Sequence, residues 1–502
     1  MEPSTKPSLT ELSLMAVKWS YLGVATRIVS QLAVQIVLAR LLGPEVFGIF
    51  AVALLVIGVG IVVIGLGLGS ALVQKKEIRN EDIRFAFTWS ILSGLGVTGL
   101  ILFSANGIAA FFRDPTIADV LWGLSPVFIF MSLNVVPQAL LRRELAFKTI
   151  QMVEVTSYLI GFLVVGVGCA LMGAGVWSLV AAWLTQTASH TLLLLVFKRH
   201  AMKPRLREGP VPMRRFATHV LSTNVVNLII ENVDNLLVGR LLGPTMLGVY
   251  SLAYTFVRTP TNHLVVTLQN VLFSASSRAQ DNQAGLQRAY MTVVSAIGLV
   301  VVPVFAGVAA VPYTVIAGIF GEKWLAAGPV LTPLALAMIL HATMAVTGPV
   351  LSGKGAAHAE LKVQFWVALA LVLAILIAAN YSLVAVAWAV CGIYVLRLAG
   401  MVLALAFHVQ LSPTTFLRAI QGGVIIGIPV VGVLLAADAG LPDWPPTLRL
   451  VLEIVLAAAV YLLALRVFQR QAIGPELRIT LLAWAGHSDW AKRGCRLMGL
   501  QG

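Results

Sequence analysis

From Val46 to Val73 the chain carries no charged residue. A run of that length cannot cover a water-soluble domain; it calls for surroundings as apolar as itself. A helix crossing the hydrocarbon core of a bilayer takes about 20 mostly apolar residues, and such windows recur along the sequence. They fall at roughly 15–39, 45–73, 85–111, 117–141, 150–172 and 175–197. After a basic stretch they resume at roughly 215–239, 245–271, 289–311, 325–351, 361–379, 382–407, 416–437 and 448–466. The pattern predicts an all-α polytopic membrane protein with about 14 transmembrane helices. Interior prolines such as Pro126, Pro260 and Pro333 are compatible with that reading, as are the 43 glycines. Neighbouring helices satisfy the backbone groups that proline frees, and small residues let helices approach closely.

Charge supplies the orientation. Only 11% of the 502 residues are charged, against about 25% in soluble domains. Lys and Arg concentrate in alternate connections: "QKKEIRNEDIR" (74–84), "RRELAFK" (142–148), "KRHAMKPRLREGPVPMRR" (198–215) and the tail after Arg466. The opposite connections hold Arg40, Arg113, Arg240, Lys323 and Arg449. Positive charge marks the cytoplasmic side, so both termini are expected there, with the basic loops against anionic lipid. The net charge of +14 then needs no nucleic acid. The connections are too short for an extramembrane catalytic domain, and no G-x-x-x-x-G-K-[ST] phosphate loop is present. Cys169, Cys391 and Cys495 are too scattered for a disulfide framework or a metal site, and no cofactor motif appears. The polar residues 1–14 run straight into the first apolar window, which predicts no cleaved signal peptide.

The pentapeptide Arg-Leu-Leu-Gly-Pro occurs twice, at 40–44 and 240–244. Aligning Leu38–Ala53 with Val238–Ala253 gives seven identities in sixteen positions, Gly48 and Gly248 among them. Six predicted helices separate the copies, and an even number returns the chain to the same face, so the repeats are parallel. A weaker echo pairs Leu124-Ser125-Pro126 with Leu331-Thr332-Pro333. The expected organisation is a segment 1–14, a lobe of six helices over 15–197, a basic linker 198–214 and a second six-helix lobe over 215–407. Two further helices follow over 408–466, then a basic tail 467–502. Each pentapeptide reads as a helix–turn–helix joint. Gly43 and Gly243 suit left-handed C-terminal caps, Pro44 and Pro244 suit first turns, and Arg40 and Arg240 suit last turns.

Ionisable groups at mid-membrane cost at least ~2.5–3.5 kcal/mol each on insertion scales, so they face a cavity or a partner. Arg27 lies midway along the first window, with Ser30 and Gln31 on its face, and no acid at matching depth is evident in its own lobe. The reading is a cavity-facing cation. Glu154 lies near an inner helix end, within reach of Lys148, and is left out of the candidate site. On the seventh window Asn224, Asn227, Glu231 and Asp234 form one polar stripe, a candidate ion-coupling or gating set. Arg258, His263 and Arg397 join Arg27 and Gln31 as substrate-binding candidates, and His341 reads as a hydrogen-bonded core histidine.

Several stretches together resemble a known family. They are "KWSYLG" (18–23), "LARLLGPEVFG" (38–48), "GLGLGSALVQ" (65–74), "LLRRELAFK" (140–148), "GAGVWSLV" (173–180), "NVDNLLVGRLLGPTMLGVYSLAY" (232–254) and "GIFGEKWLAAGPVL" (318–331). They are similar to bacterial oligosaccharide flippases, the polysaccharide-transporter branch of the MOP superfamily, in order over about residues 12–410. The resemblance implies two six-helix lobes around a central cavity that opens alternately to either side. It implies an inner-membrane exporter, not an enzyme, that moves oligosaccharide repeat units on undecaprenyl pyrophosphate for lipopolysaccharide, capsule or exopolysaccharide. It also implies coupling to protons or sodium ions, function as a monomer and polysaccharide polymerase machinery as a further partner. Guanidinium matches pyrophosphate in charge and bidentate geometry, so Arg27, Arg258 and Arg397 are expected at the anionic head. The alternative is a multidrug cation antiporter of the MATE type, whose cavity is expected to be rich in carboxylates and aromatics. A membrane glycosyltransferase is disfavoured by the short outer connections.

Overall fold

A computed structural model describes residues 26–207, 232–278, 283–474 and 476–479, apart from Ile28, Leu66 and Asp443. The described chain is all helical, and 11 of its helices are long and apolar enough to cross a membrane. Of the other expected spans, 15–39 lies about half and 215–239 largely outside the described residues, and 245–271 falls in the 35-residue helix Pro244–Arg278. The chain divides into two compact units, Met1–Gly248 and Val249–Gly502.

The first unit contains α1 (Val29–Leu41), α2 (Pro44–Gly65), α3 (Leu68–Gln74), α4 (Asn80–Phe112), α5 (Thr116–Arg143), α6 (Phe147–Leu171) and α7 (Val176–Phe197). Small residues set its packing. A Cβ on Gly94 would stand 2.6 Å from that of Ser132, and one on Gly60 would stand 2.2 Å from the Phe128 ring. These glycines let α5 sink between α2 and α4 without apolar bulk, the usual device where water drives nothing together. The window at 45–73 is not one helix: Gly67 takes a positive φ of 69° and separates α2 from α3. Arg143, at the end of α5, then closes the far end of α3. Its guanidinium donates to the carbonyls of Val73 (3.2 Å), Lys76 (2.6 Å) and Lys75, where the helix dipole favours a cation.

Helix α6 carries an irregularity that its sequence does not announce. Leu159–Gly166 is wound as a π-helix. Gly161 and Gly166 within it approach α7 so closely that an added Cβ would meet the Ala182 carbonyl oxygen at 2.6 Å and the Ala182 Cβ at 2.9 Å. π-turns inside α-helices commonly mark functional positions, and this one begins directly after Tyr158, which lines a cavity of this unit.

The pentapeptide copies share a sequence but not a backbone. Pro44 and Pro244 each open a helix as expected. Gly243 has a φ of 87°, whereas Gly43 is not among the glycines of positive φ, so the left-handed cap holds only for the second copy. Arg240 rests 5.0 Å from the Phe111 ring. The identity that matters most lies beyond the pentapeptide: a Cβ on Gly48 would stand 1.8 Å from the carbonyl oxygen of Pro244, and one on Gly248 2.0 Å from that of Pro44. The first turns of the two helices cross backbone to backbone, each copy using its glycine against the proline of the other.

Beyond α7 the linker folds back onto α4. The Arg205 amide donates to Thr88 Oγ1 (2.8 Å), its guanidinium meets Glu81 at 3.0 Å, and Trp89 donates to the Leu206 carbonyl at 3.2 Å. Lys198 pairs with Glu144. Part of the basic charge expected against lipid is therefore engaged by protein groups. His200 packs edge-on against Phe87 at 4.9 Å, and burial pulls its pKa below the ordinary histidine value. The undocked ring takes up protons first, so this docking is fully stable above the ordinary histidine range and weakens as pH falls through it. Trypsin cleavage of 198–207 should accelerate from pH 7.5 to 5.5 in the parent, relative to a His200→Phe variant whose docking is insensitive to pH.

The second unit contains most of α9 (Pro244–Arg278), which follows a short helix α8 (232–242). It continues with α10 (Gln283–Ala310), α11 (Pro312–Phe320), α12 (Glu322–Gly353), α13 (Ala357–Ala378), α14 (Leu383–Val409), α15 (Pro413–Gly440) and α16 (Pro446–Val467). The two helices beyond the six-plus-six scheme are tightly integrated. Gly423 of α15 meets the Gly298 carbonyl of α10, with an added Cβ only 2.1 Å away, and Gly318 of α11 meets Leu450 of α16 at 2.8 Å. Where Pro333 interrupts α12, Thr332 turns its hydroxyl to the Ala309 carbonyl at 3.0 Å. At the matching Ser125, Thr98 donates to the Ser125 carbonyl at 3.3 Å.

Candidate functional site

The first unit encloses a cavity of about 940 Å³. Its walls are stripes one helical face wide. Asn134, Gln138 and Arg142 recur every four residues on α5; Trp183, Gln186, Thr187 and His190 follow the 3.6-residue period on α7; Glu154 and Tyr158 stand one turn apart on α6. Arg27, Gln31 of α1, and Ser70 and Gln74 of α3 add to the polar lining, and Gly67 and Gly69 leave room at the break between α2 and α3.

Arg27 and Gln31 stand together on one wall, as their shared face implies. The expectation that Arg27 has no acid in its own lobe is overturned. Its Nη1 lies 2.5 Å from Glu154 Oε2, across 127 residues of sequence. The two side chains are 30% and 19% exposed, so the pair is partly wetted by the cavity. Glu154, left out of the candidate site from the sequence, is the partner of the central cation, and it is the one carboxylate in the described lining.

Around this pair the chemistry is neutral and polar. Three polar atoms on the wall are buried without a protein hydrogen-bond partner: Arg27 Nε, Asn134 Oδ1 and Trp183 Nε1. Buried polar atoms are normally satisfied, so these are unmet hydrogen-bonding groups in the residues that line the cavity. Tyr158 donates to the Gln31 carbonyl at 3.4 Å and stacks on Phe162 at 5.0 Å; Phe162 and Phe50 flank Trp183 at 5.9 and 6.0 Å. This aromatic column holds the indole rigidly. The α5 and α7 stripes were not singled out from the sequence, although their signal was present as polar residues at helical spacing within apolar windows.

In the second unit the structure gathers other candidates. Arg258 lies over the Tyr254 ring at 5.4 Å, Tyr254 reaches Tyr394 hydroxyl to hydroxyl at 3.4 Å, and Tyr394 meets the His341 ring edge-on at 5.7 Å. His341 lies in the electrostatic field of both Arg397 and Arg258. The His341 Nδ1 is buried without a hydrogen-bond partner. The side chain of His263, on the same helix as Arg258, is outside the described set, as are Asn224, Asn227 and Glu231. Asp234 is described and buried at 5% exposure, and its Oδ1 accepts from the Asn235 amide at 2.8 Å. Among the described residues no group of three or more His, Cys, Asp or Glu could hold a metal ion.

The chain resembles known proteins both in sequence and in fold. Residues 37–329 match the family model described as "Polysaccharide biosynthesis protein". The chain is 26% identical to the lipopolysaccharide biosynthesis protein WzxC of Escherichia coli (strain K12), over 71% of this chain and 73% of that one. It is also 26% identical to the teichuronic acid biosynthesis protein TuaB of Bacillus subtilis (strain 168), over 80% and 84%, and 28% identical to the succinoglycan biosynthesis transport protein ExoT of Rhizobium meliloti (strain 1021), over 66% and 67%. Among solved structures it superposes on the lipid II flippase MurJ in an inward closed conformation with a TM-score of 0.69. That match covers 92% of this chain and 99% of that one at 15% identity. An inward-facing MATE multidrug resistance transporter of the MOP superfamily gives 0.58, covering 76% and 94% at 16% identity.

Proposed function

Because the chain belongs to the family of polysaccharide biosynthesis proteins, we propose that it is a multi-pass flippase of the bacterial inner membrane. It moves an oligosaccharide repeat unit linked to undecaprenyl pyrophosphate from the inner to the outer leaflet by alternating access, with both its termini cytoplasmic. It acts as a monomer, draws on a proton or sodium gradient, and hands its cargo to polysaccharide polymerase machinery.

The observation that carries this reading is the lining of the first-unit cavity. Sugar hydroxyls are both donors and acceptors, and they are matched by side-chain amides and an indole N–H rather than by charges. Gln31, Gln74, Asn134, Gln138, Gln186 and Trp183 supply that set beside the guanidiniums of Arg27 and Arg142. The guanidinium suits the anionic linkage between sugar and lipid, and Arg258 and Arg397 offer a second cationic station. A MATE-type antiporter of organic cations is the weaker reading. Its cavity needs free negative charge, whereas the one carboxylate in this lining is already held by Arg27.

Deletion of the chain should leave lipid-linked repeat units accumulated in the inner leaflet. Restoring it with Arg27→Gln should slow export by at least about tenfold, the loss expected when a charge-assisted contact worth ~1.5–3 kcal/mol is removed. Normal export by both Arg27→Gln and Arg27→Lys would refute the anion role. Ethidium efflux that depends on the chain would favour the antiporter.

A further inference from the structure

We propose that Glu154 is a proton-linked competitor for the anion site of this cavity: an arriving pyrophosphate displaces it from Arg27, and the freed carboxylate takes up a proton from solution. The inference rests on the reading that an anionic head enters here, and adds how its arrival is tied to a proton.

The geometry sets up a competition. Arg27 is held by Glu154 through Nη1 alone at 2.5 Å, while its Nε is buried without a partner. A bidentate oxyanion fits a guanidinium better than a single carboxylate oxygen does, so the anion and Glu154 contend for the same fork. Both side chains are partly exposed to the cavity, so neither is locked in the protein interior.

Charge then ties the anion to a proton. In the lining, Arg27 and Arg142 carry positive charge, Glu154 negative charge, and Tyr158 and His190 are the remaining titratable groups. Once the anion occupies Arg27, an ionised Glu154 would stand beside it with its own counter-ion taken. A like charge at close range disfavours ionisation, so the proton and the anion enter together. By reciprocity a proton on Glu154 favours anion binding by the same factor. When the anion departs, Arg27 recaptures the carboxylate and the proton leaves; this proton travels with the cargo, so it tunes binding and is not the ion whose inward gradient drives export. This assigns the proton-linked step to Glu154 on α6, within the first unit.

Full-length protein in nanodiscs, titrated calorimetrically with inorganic pyrophosphate in buffers of equal pH and different ionisation enthalpy, counts the protons taken up. Parent and Glu154→Gln are compared under identical conditions, so protons exchanged by the pyrophosphate itself cancel. The parent should take up close to one proton more per anion bound. Its affinity should rise as pH falls. Glu154→Gln should bind about tenfold tighter at alkaline pH, within the usual 5–150-fold range of couplings, with a flattened pH profile. His190→Gln should keep the parental proton count. Equal proton counts in parent and Glu154→Gln would overturn the proposal while leaving the anion site intact. So would loss of the uptake in His190→Gln. Absence of pyrophosphate binding in the parent would overturn both the proposal and the reading beneath it. Should Glu154→Gln fail to fold, the pH dependence of parental affinity decides alone, a flat profile being refutation.

Discussion

Gly48→Ala should remove most of the folded protein from the membrane. The added methyl would stand 1.8 Å from the Pro244 carbonyl oxygen, far inside contact distance, and the obstacle is backbone rather than a movable side chain. Overpacking ordinarily costs about 1–3 kcal/mol, and a clash with a helix terminus that cannot rotate away belongs at or beyond the top of that range. Gly248→Ala meets the reciprocal obstacle, 2.0 Å from the Pro44 carbonyl oxygen and 2.8 Å from the Gly48 nitrogen, and should fail in the same way. The pentapeptide glycines provide the contrast. Gly43→Ala meets nothing within 4 Å and should be nearly silent, whereas Gly243→Ala must hold φ near 87° at a cost of about 1–2 kcal/mol. Yield and melting temperature of the solubilised protein rank the four. A silent Gly48→Ala would mean that the two helices do not cross at these residues.

Arg27→Glu should cost both stability and export. It replaces a partly buried ion pair with two carboxylates facing each other across the cavity wall. Breaking a fully buried pair costs about 3–5 kcal/mol; with 30% and 19% of the two side chains exposed, about 1–3 kcal/mol is the discounted expectation. The exchange Arg27→Glu/Glu154→Arg re-forms the pair and should recover most of the melting temperature. Export by the exchanged protein should stay slow, about a hundredfold below the parent, because the guanidinium then projects from α6 and a shift of ~1 Å at a binding group can cost that much. Recovery of export along with stability would reduce the pair to a structural tie.

The fold was legible in the sequence because a membrane leaves few choices. Apolar windows of the right length must be helices there, and the parallel repeat could be read from Gly48 and Gly248 as readily as from the pentapeptide. The site was legible in part. The face argument placed Arg27 with Gln31, and both line one cavity. The partner of Arg27 was not legible, because it comes from a helix 127 residues away and depth along a window is known only to within a turn or so. Nor could the matching pentapeptides reveal that Gly43 and Gly243 differ in φ, since glycine permits both conformations equally.

The π-turns of α6 carry a consequence for how that helix reads. An α-helix keeps one angular phase from end to end, so residues spaced by 3.6 stay on one side. The wider turns over Leu159–Gly166 advance less angle per residue and so introduce a phase jump. Glu154 and Tyr158, before the jump, look into the cavity; a helical wheel drawn straight through to Val167–Leu171 would assign those later residues to the wrong side. The segment behaves as two reading frames on one axis. Shifting the π-turns along the helix would turn only the residues they pass over to a new face, leaving the two ends in the same relative phase.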